Sequence, residues 1–221
     1  MLKTISRMLM ILAFFAVVLQ ADFSEKQMIR TSMDILKKSH VKIPEKVLQN
    51  TKAIIVMPNL KKGGFLINAA YGVGVLSIKG SDGVWSDPCF VAFKSLSLGL
   101  QAGVESTDAI FMFKSLRSLD GIEDGKVTIS FGAGLTIFKN GQNVSRKTDS
   151  NLAADIYLFG KSSGLFMDFL SVGSGILYVK DEMNDKYYDN LIDTSYLLNG
   201  HLSSNKKQVK EFKNILNDFA K

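Results

Sequence analysis

The chain has 221 residues, of which 46% are hydrophobic and 22% charged, and its formal net charge is +6. These proportions are typical of a globular protein with a buried core and exclude an intrinsically disordered chain. The length fits one domain. The mild positive charge suits an anionic membrane surface but falls short of a nucleic-acid-binding footprint, so no nucleic-acid partner is expected.

The N-terminal segment has the pattern of a secretory signal peptide. Lys3 and Arg7 precede the apolar run Met8–Leu19, which is too short to span a bilayer. We expect cleavage after Ala21, so that residues 1–21 are removed and the protein is exported, periplasmic or secreted. An uncleaved N-terminal anchor is the alternative. Cleavage removes two basic residues and no acidic one, which lowers the net charge to +4.

Two helices are predicted before the first strand. Residues 24–39 carry apolar side chains at helical spacing, and Ser24 with Gln27 fits a capping box. Pro44 suits the first turn of a second, short helix. A third helix is predicted near the C-terminus, where residues 205–221 combine an apolar side with a cluster of lysines.

Between Ala53 and Val179 the pattern consists of short apolar runs separated by turn signals such as Ser81–Gly83, Asp124–Gly125 and Asn140–Gly141. This spacing predicts an α+β fold with N-terminal helices, a strongly curved antiparallel sheet or partial β-barrel rich in glycine, and a C-terminal amphipathic helix. The glycines that fit bends or bulges inside strands are Gly72, Gly74, Gly99, Gly103, Gly132 and Gly134.

The Gly72-Val73-Gly74 stretch does not predict a phosphate-binding loop. Such a loop needs a third glycine and a helix directly behind it, whereas Val75 to Ile78 continue a strand. The glycines are therefore expected to shape the sheet.

The sequence offers no convincing active site. His40 and His201 lie in polar connectors, and with Cys89 they do not form a set with metal-ligand spacing. Cys89 is expected to be a buried small hydrophobe. No catalytic residue, metal or cofactor is predicted, although a hydrolase triad assembled from distant residues stays open. The carboxylates expected in solvated loops are Asp120, Glu123, Asp124, Asp181, Glu182, Asp185 and Asp189.

Short motifs follow one another in a distinctive order: AIIVMP (53–58), KKGGF (61–65), YGVGVL (71–76), WSDPCF (85–90), LGLQAGVESTDAIFMF (98–113), KSSGLF (161–166) and NDKYYD (184–189). Over about residues 30 to 190 this order resembles the SYLF lipid-binding domain, also called the Las17-binding or actin-regulator family. The matching motif positions are Gly64, Tyr71, Gly72, Gly74, Trp85, Ser86, Pro88, Phe90, Gln101, Gly103, Gly164, Leu165 and Phe166.

Two positions depart from the family pattern. Met167 and Asp168 stand where a small residue usually follows the S-x-G-L-F element, and Asp189 follows Tyr188 where the family usually has glycine. The basic segment 201–221 lies beyond the region of resemblance, which leaves a SYLF-like domain at 22–200.

The resemblance implies a non-enzymatic phospholipid-binding domain. Eukaryotic relatives bind phosphoinositides and act on actin, but an exported bacterial chain meets neither, so actin is not an expected partner. We expect adsorption to anionic phospholipid, through lysines and then apolar side chains. Trp85 is expected in the core. The candidate lipid-binding residues are Lys61 and Lys62, in a predicted turn, and Lys206, Lys207, Lys210, Phe212, Lys213 and Phe219 in the C-terminal helix.

Two alternatives remain at this level. A single lipid could sit inside the curved sheet, as in some barrels. The chain could instead be an envelope protein–protein interaction module whose C-terminal helix docks in a partner groove.

Overall fold

A computed structural model describes residues 23–39, 43–64, 67–98, 103–130, 135–139, 142–143, 155–160, 174–189, 191–200 and 202–219. It confirms the α+β class, with helices at both ends of the chain and a strongly curled sheet between them. The predicted signal segment, both histidines, the Asn140–Gly141 turn and the motif positions Gln101, Gly164, Leu165 and Phe166 lie outside the described residues, as do Gly99, Gly132, Gly134, Met167 and Asp168.

Five α-helices are described: α1 (Glu25–Ser39), α2 (Glu45–Gln49), α3 (Asp181–Tyr188), α4 (Thr194–Leu198) and α5 (Lys207–Phe219). Two short 3-10 helices span Leu116–Leu119 and Ile122–Asp124. The capping box of α1 is confirmed, because the Gln27 amide donates to Ser24 Oγ at 3.3 Å and the Ser24 amide donates to Gln27 Oε1 at 3.2 Å. None of the helices in the described part of the chain is long and apolar enough to cross a membrane.

The helix α3 corrects an expectation. Asp181, Glu182 and Asp185 were expected in a solvated loop, but they lie in this helix. Two of them occupy its first turn, where carboxylates interact favourably with the exposed amides of the helix N-terminus. Buried Tyr187 and Tyr188 anchor its other side to the core.

The described strands are β1 (Ala53–Gly64), β2 (Ile67–Ile78), β3 (Cys89–Leu98), β4 (Gly103–Phe113), β5 (Lys126–Ser130), β6 (Leu135–Lys139), β7 (Gln142–Asn143), β8 (Ile156–Gly160) and β9 (Ser174–Val179). They form one sheet in the order β5-β9-β3-β2-β1-β4-β8-β6-β7. The described pairings are antiparallel, as expected, except β6 with β8, which is parallel.

The curvature of the sheet brings distant strands together on its inner side. Phe93 on β3 and Phe111 on β4 are separated by β2 and β1, which is about 14 Å in a flat sheet. Their ring centroids are only 5.9 Å apart, so both side chains point into the concave side. This aromatic contact fills the interior at that level with packed core.

Glycine in β2 permits this shape. The strand β1 contains a bulge between Met57 and Leu60, with Asn59 at a φ of 52°. Opposite the bulge, a Cβ on Gly74 would lie 2.2 Å from the Val56 carbonyl oxygen. The Gly-x-Gly stretch is therefore strand, as predicted, and its second glycine allows two backbones to approach closely.

Candidate functional site

The C-terminal helix does not offer its aromatic side to lipid. Phe212 and Phe219 were expected to enter a membrane, but they are 0% and 3% exposed. With Val209 and Leu216 they form the buried side of α5, which packs against α1. The structure therefore does not place these two side chains at the surface, because the apolar side of α5 closes the core.

The four candidate lysines near the C-terminus divide into two pairs. Lys207 and Lys210 are exposed on α5. The other two lysines form ion pairs. Lys213 Nζ lies 3.0 Å from Asp87 Oδ1, and Lys206 Nζ lies 2.5 Å from Asp189 Oδ2. The hydrogen bond from Lys206 lowers the pKa of the Asp189 carboxyl. These two lysines therefore hold the helix to the domain.

The motif segment Trp85–Phe90 binds the helices α3 and α5 to the sheet. Trp85 and Phe90 are buried, so the expectation that Trp85 belongs to the core is confirmed. Asp87, fully buried, accepts hydrogen bonds from the Ser204 amide at 2.7 Å and from Lys213 Nζ. Sequence reasoning missed Asp87, although a lone carboxylate inside an apolar run signals a buried partner.

The closing motif binds the same segment. Asn184 accepts a hydrogen bond from the Phe90 amide at 2.8 Å and donates to the Phe90 carbonyl at 3.3 Å. The Tyr188 hydroxyl donates to the Pro88 carbonyl at 2.7 Å. Two motifs that are far apart in sequence thus form one buried hydrogen-bonded unit, whose role is to join α3 to the start of β3.

Burial holds the ionisable groups next to this unit in their neutral forms. Burial raises the pKa of the Cys89 thiol to about 12, although a hydrogen bond from Asn184 acts in the opposite direction. Burial, reinforced by the charge of Asp87, raises the pKa of Tyr187 to about 12. The same two causes raise the pKa of Tyr188 above its ordinary value. Among the described residues, no group of three or more His, Cys, Asp or Glu side chains is placed to hold a metal ion.

Lys61 and Lys62 were expected in a turn, but they lie in a strand. The strand β1 runs through both of them, and the register pairs them with Tyr71 and Ala70 of β2. Adjacent residues of a strand point to opposite faces. Lys62 is 5% exposed and shares the concave side with Phe93, whereas Lys61 is partly exposed on the convex side.

One end of the convex side is open to solvent, and we call it the open sheet face. Two neighbouring register rows cross β4, β1, β2 and β3 here, and the second row continues onto β9. The members of the open sheet face are Val104, Ala69 and Leu96 in the first row and Ser106, Lys61, Tyr71, Lys94 and Ile176 in the second.

Large apolar side chains are exposed on this face. Leu96 is 66% exposed, Val104 62% and Ile176 38%. At the other end of the same strands, helix α3 covers the convex side. There the Phe90 ring packs edge-on against the Tyr187 ring, with 5.4 Å between the ring centroids. The exposed apolar residues therefore lie on the part of the sheet that the helices do not cover.

The charges on the open sheet face are positive. Lys61 and Lys94 lie on either side of Tyr71, and Lys94 Nζ is 5.1 Å from the ring centroid of Tyr178. The nearest acidic residue on this side of β4 is Asp108, whose carboxylate accepts a hydrogen bond from the Asn59 amide at 3.2 Å. The face thus combines lysines with exposed aliphatic and partly exposed aromatic side chains.

Comparison with known proteins identifies the family. The family model described as "Ysc84: Las17-binding protein actin regulator" matches residues 94–219, more than half of the chain, and the chain belongs to this family. The match includes α5, which the motif comparison had left outside the region of resemblance.

Curated relatives support the assignment. The chain is 26% identical over 179 residues to SH3 domain-containing YSC84-like protein 1 of Rattus norvegicus, covering 80% of this chain and 52% of the relative. It is 28% identical over 163 residues to Protein YSC84 of Saccharomyces cerevisiae, covering 72% of this chain and 34% of the relative. The chain thus spans about a third of one relative and about half of the other. No solved structure matches it significantly.

Proposed function

We propose that this chain is a non-enzymatic phospholipid-binding protein of the bacterial cell envelope, which adsorbs to anionic membrane through the open sheet face. The observation that carries the proposal is the exposure of Leu96 and Val104 beside Lys61 and Lys94 on one surface. Export through residues 1–21 is part of the proposal.

The energetics favour reversible adsorption. Each lysine near an anionic surface contributes about 1 kcal/mol, and the contribution falls with salt. Burying one exposed leucine side chain fully contributes about 2 kcal/mol. Two lysines with two or three partly inserted aliphatic side chains therefore give a membrane affinity that is modest and sensitive to ionic strength.

Adsorption at the surface fits the packing better than enclosure of a lipid inside the sheet. The contact between Phe93 and Phe111 occupies the concave side with aromatic core. A lipid tail at that level would have to displace buried side chains, which costs free energy without opening new contacts.

A protein partner is the second candidate. Relatives carry names such as LAS seventeen-binding protein 3 of Saccharomyces cerevisiae, which state a protein partner for those chains. Docking through α5 would first require its buried apolar side to leave the core. A protein partner would therefore use the open sheet face, and lipid-independent saturable binding would distinguish it.

The test is co-sedimentation of the exported chain with anionic and neutral vesicles at low and high salt. We expect Lys61→Glu with Lys94→Glu to abolish salt-sensitive binding to anionic vesicles. Lys207→Glu with Lys210→Glu changes the net charge by the same amount on exposed positions of α5, and is expected to leave most of the binding intact. Equal loss in both double variants would show a non-specific charge effect and would overturn the proposed face.

A further inference from the structure

Three lysines lie side by side at the end of the sheet that is far from the open sheet face. Lys52 precedes β1, Lys79 follows β2 and Lys114 follows β4. The Lys79 amide donates to the Lys52 carbonyl at 2.8 Å, and the Lys52 amide donates to the Phe113 carbonyl at 2.7 Å. The ladders of β1 with β2 and with β4 therefore continue through these three residues, which we call the lysine edge.

The lysine edge places like charges next to each other. Residues that lie directly opposite on neighbouring strands point to the same side of a sheet, and like charges in such a row destabilise it. The row Lys79–Lys52–Lys114 crosses three strands, which is about 10 Å. For the fold alone, this arrangement is unfavourable.

The described part of the chain does not neutralise these charges. Lys52 and Lys114 are exposed, and their side chains form no ion pair or hydrogen bond with a described residue. The Lys79 ammonium lies 5.7 Å from the ring centroid of Trp85, a contact that keeps its charge. Asp155 continues the row, since its carbonyl accepts a hydrogen bond from the Lys114 amide at 2.9 Å. Among the described ion pairs, however, none joins its carboxylate to these lysines.

The lysine edge suits an extended anionic surface. Its charges form a line on the outside of the protein, and the turn that begins at Lys79 adds the side chain of Val84, which is 54% exposed. Ammonium groups beside an exposed aliphatic side chain match the phosphates and acyl chains of a lipid surface. A row that breaks a local rule without a partner in the fold is typical of a functional surface.

A flat membrane that contacts the open sheet face is held away from the lysine edge. Lys52 and Lys61 are nine residues apart in a nearly extended segment, which is about 30 Å. Phe90 lies in the register row of Val56, between these two lysines, and it carries Tyr187 of α3 on its ring. The helix α1 also packs against β1 and β2. The two basic regions, separated by helices, therefore fit two different surfaces.

We propose that the lysine edge contacts a second anionic membrane, so that the protein bridges two membranes, one at each end of its sheet. The inference rests on the proposed function, because the open sheet face supplies the first contact. The lysine edge combines its charges with a single exposed aliphatic side chain, so it binds a membrane weakly by itself. Many copies held on one vesicle act together on the next, which raises the effective concentration of this weak contact.

Clustering of anionic vesicles by the exported chain, followed by light scattering, tests the bridge. We expect clustering that weakens as salt is raised and that is absent with neutral vesicles. Lys52→Glu with Lys114→Glu is expected to slow clustering about tenfold, while co-sedimentation with anionic vesicles changes by less than about twofold. Unchanged clustering in this double variant would overturn the proposal and assign clustering to contacts between protein copies.

Two further variants control for charge and folding. Lys207→Glu with Lys210→Glu changes the net charge equally at exposed positions of α5, and it is expected to keep the clustering rate. Equal slowing in both glutamate variants would overturn the assignment to the lysine edge. Lys52→Gln with Lys114→Gln removes the two charges without adding carboxylates, and it repeats the test if circular dichroism shows that the glutamate variant does not fold.

Inorganic phosphate and chloride, compared at equal ionic strength, distinguish a lipid surface from a free anion. Equal inhibition of clustering by the two salts is expected, whereas stronger inhibition by phosphate would show a site for the free anion and would overturn the bridge. Vesicle binding without clustering by the unsubstituted chain would overturn this inference alone. A chain that binds no vesicle would overturn the proposed function as well.

Discussion

Asp87 and Lys213 form a buried ion pair of 3.0 Å that fastens the last helix to the start of β3. The Asp87 side chain is 1% exposed and that of Lys213 20%. Asp87 also accepts a hydrogen bond from the Ser204 amide. One carboxylate therefore binds both the segment that precedes α5 and the middle of that helix. The basic character of this helix is thus partly structural.

Removing the cation of this pair is expected to destabilise the fold. Lys213→Met leaves the Asp87 carboxylate buried without its main counter-charge. We expect a loss of about 2 to 3 kcal/mol, near the lower end for a buried ion pair because Lys213 keeps some contact with water. Urea unfolding followed by circular dichroism measures it. Lys210→Met, exposed on the same helix, is the matched control and is expected to change stability by less than about 0.5 kcal/mol; equal effects would contradict the structural role.

The close approach at the β1 bulge makes Gly74 intolerant of a side chain. A Cβ would lie 2.2 Å from the Val56 carbonyl oxygen, which is backbone and cannot rotate away. Gly74→Ala is therefore expected to cost about 3 kcal/mol, the upper end for overpacking. Gly80→Ala is a useful comparison, because there the Cβ would meet the movable Asp82 side chain at 2.7 Å. Similar midpoints in urea for Gly74→Ala and the unsubstituted chain would contradict the register of the bulge.

Asp189 explains a departure from the family pattern. It ends α3 with a φ of 61°, in the left-handed region where glycine is strain-free and Asp is tolerated. We expect Asp189→Gly to keep the urea midpoint and Asp189→Val to lower it. Both variants lose the pairing with Lys206, so the difference between them does not come from that ion pair and reports the conformational preference of the backbone at this position. A valine variant as stable as the glycine variant would contradict the left-handed geometry.

The buried thiol is expected to make the free energy of unfolding fall in alkaline solution. Burial raises the pKa of Cys89 from 9.0 to about 12 in the folded chain. The contribution of the protonated Cys89 thiol to stability is complete below pH 9. It is lost as pH rises, because the thiol ionises at lower pH in the unfolded chain than in the folded chain. Above pH 9 the free energy of unfolding is expected to fall by about 1.4 kcal/mol per pH unit.

The slope is measured by urea unfolding between pH 8 and 10, below the range in which the tyrosines dominate. Cys89→Ala is expected to flatten the profile even if it lowers stability at every pH. An equally steep profile in Cys89→Ala would assign the effect to other groups.

Local patterns predicted much of the fold. The capping box at Ser24 and Gln27, the turn at Ser81–Gly83 and the strand character of Gly72 and Gly74 follow from short-range chemistry that the sequence displays directly. The burial of Cys89 follows from its apolar neighbours. In each case the deciding interaction lies within a few residues of the pattern that signals it.

The site was harder to predict, because it depends on which face a strand exposes. Lys61 and Lys62 have the same local sequence context, yet the register places Lys61 on the open sheet face and Lys62 on the buried concave side. Phe212 and Phe219 form the apolar side of an amphipathic helix, and periodicity cannot tell whether such a side meets lipid or the protein's own core. Leu96 and Val104 read as ordinary strand residues; only the extent of helix coverage leaves them exposed.

The central claim is that the open sheet face, and not the C-terminal helix, enters the membrane. The most direct measurement uses Leu96→Cys carrying an environment-sensitive fluorophore, in the exported chain mixed with anionic vesicles. Labelling is selective, because Cys89 is buried and its raised pKa keeps it protonated. The same label at Lys210→Cys, exposed on α5, is the control. We expect a blue shift and protection from aqueous quencher at position 96 and neither at position 210. A shift at position 210 with none at position 96 would contradict the account.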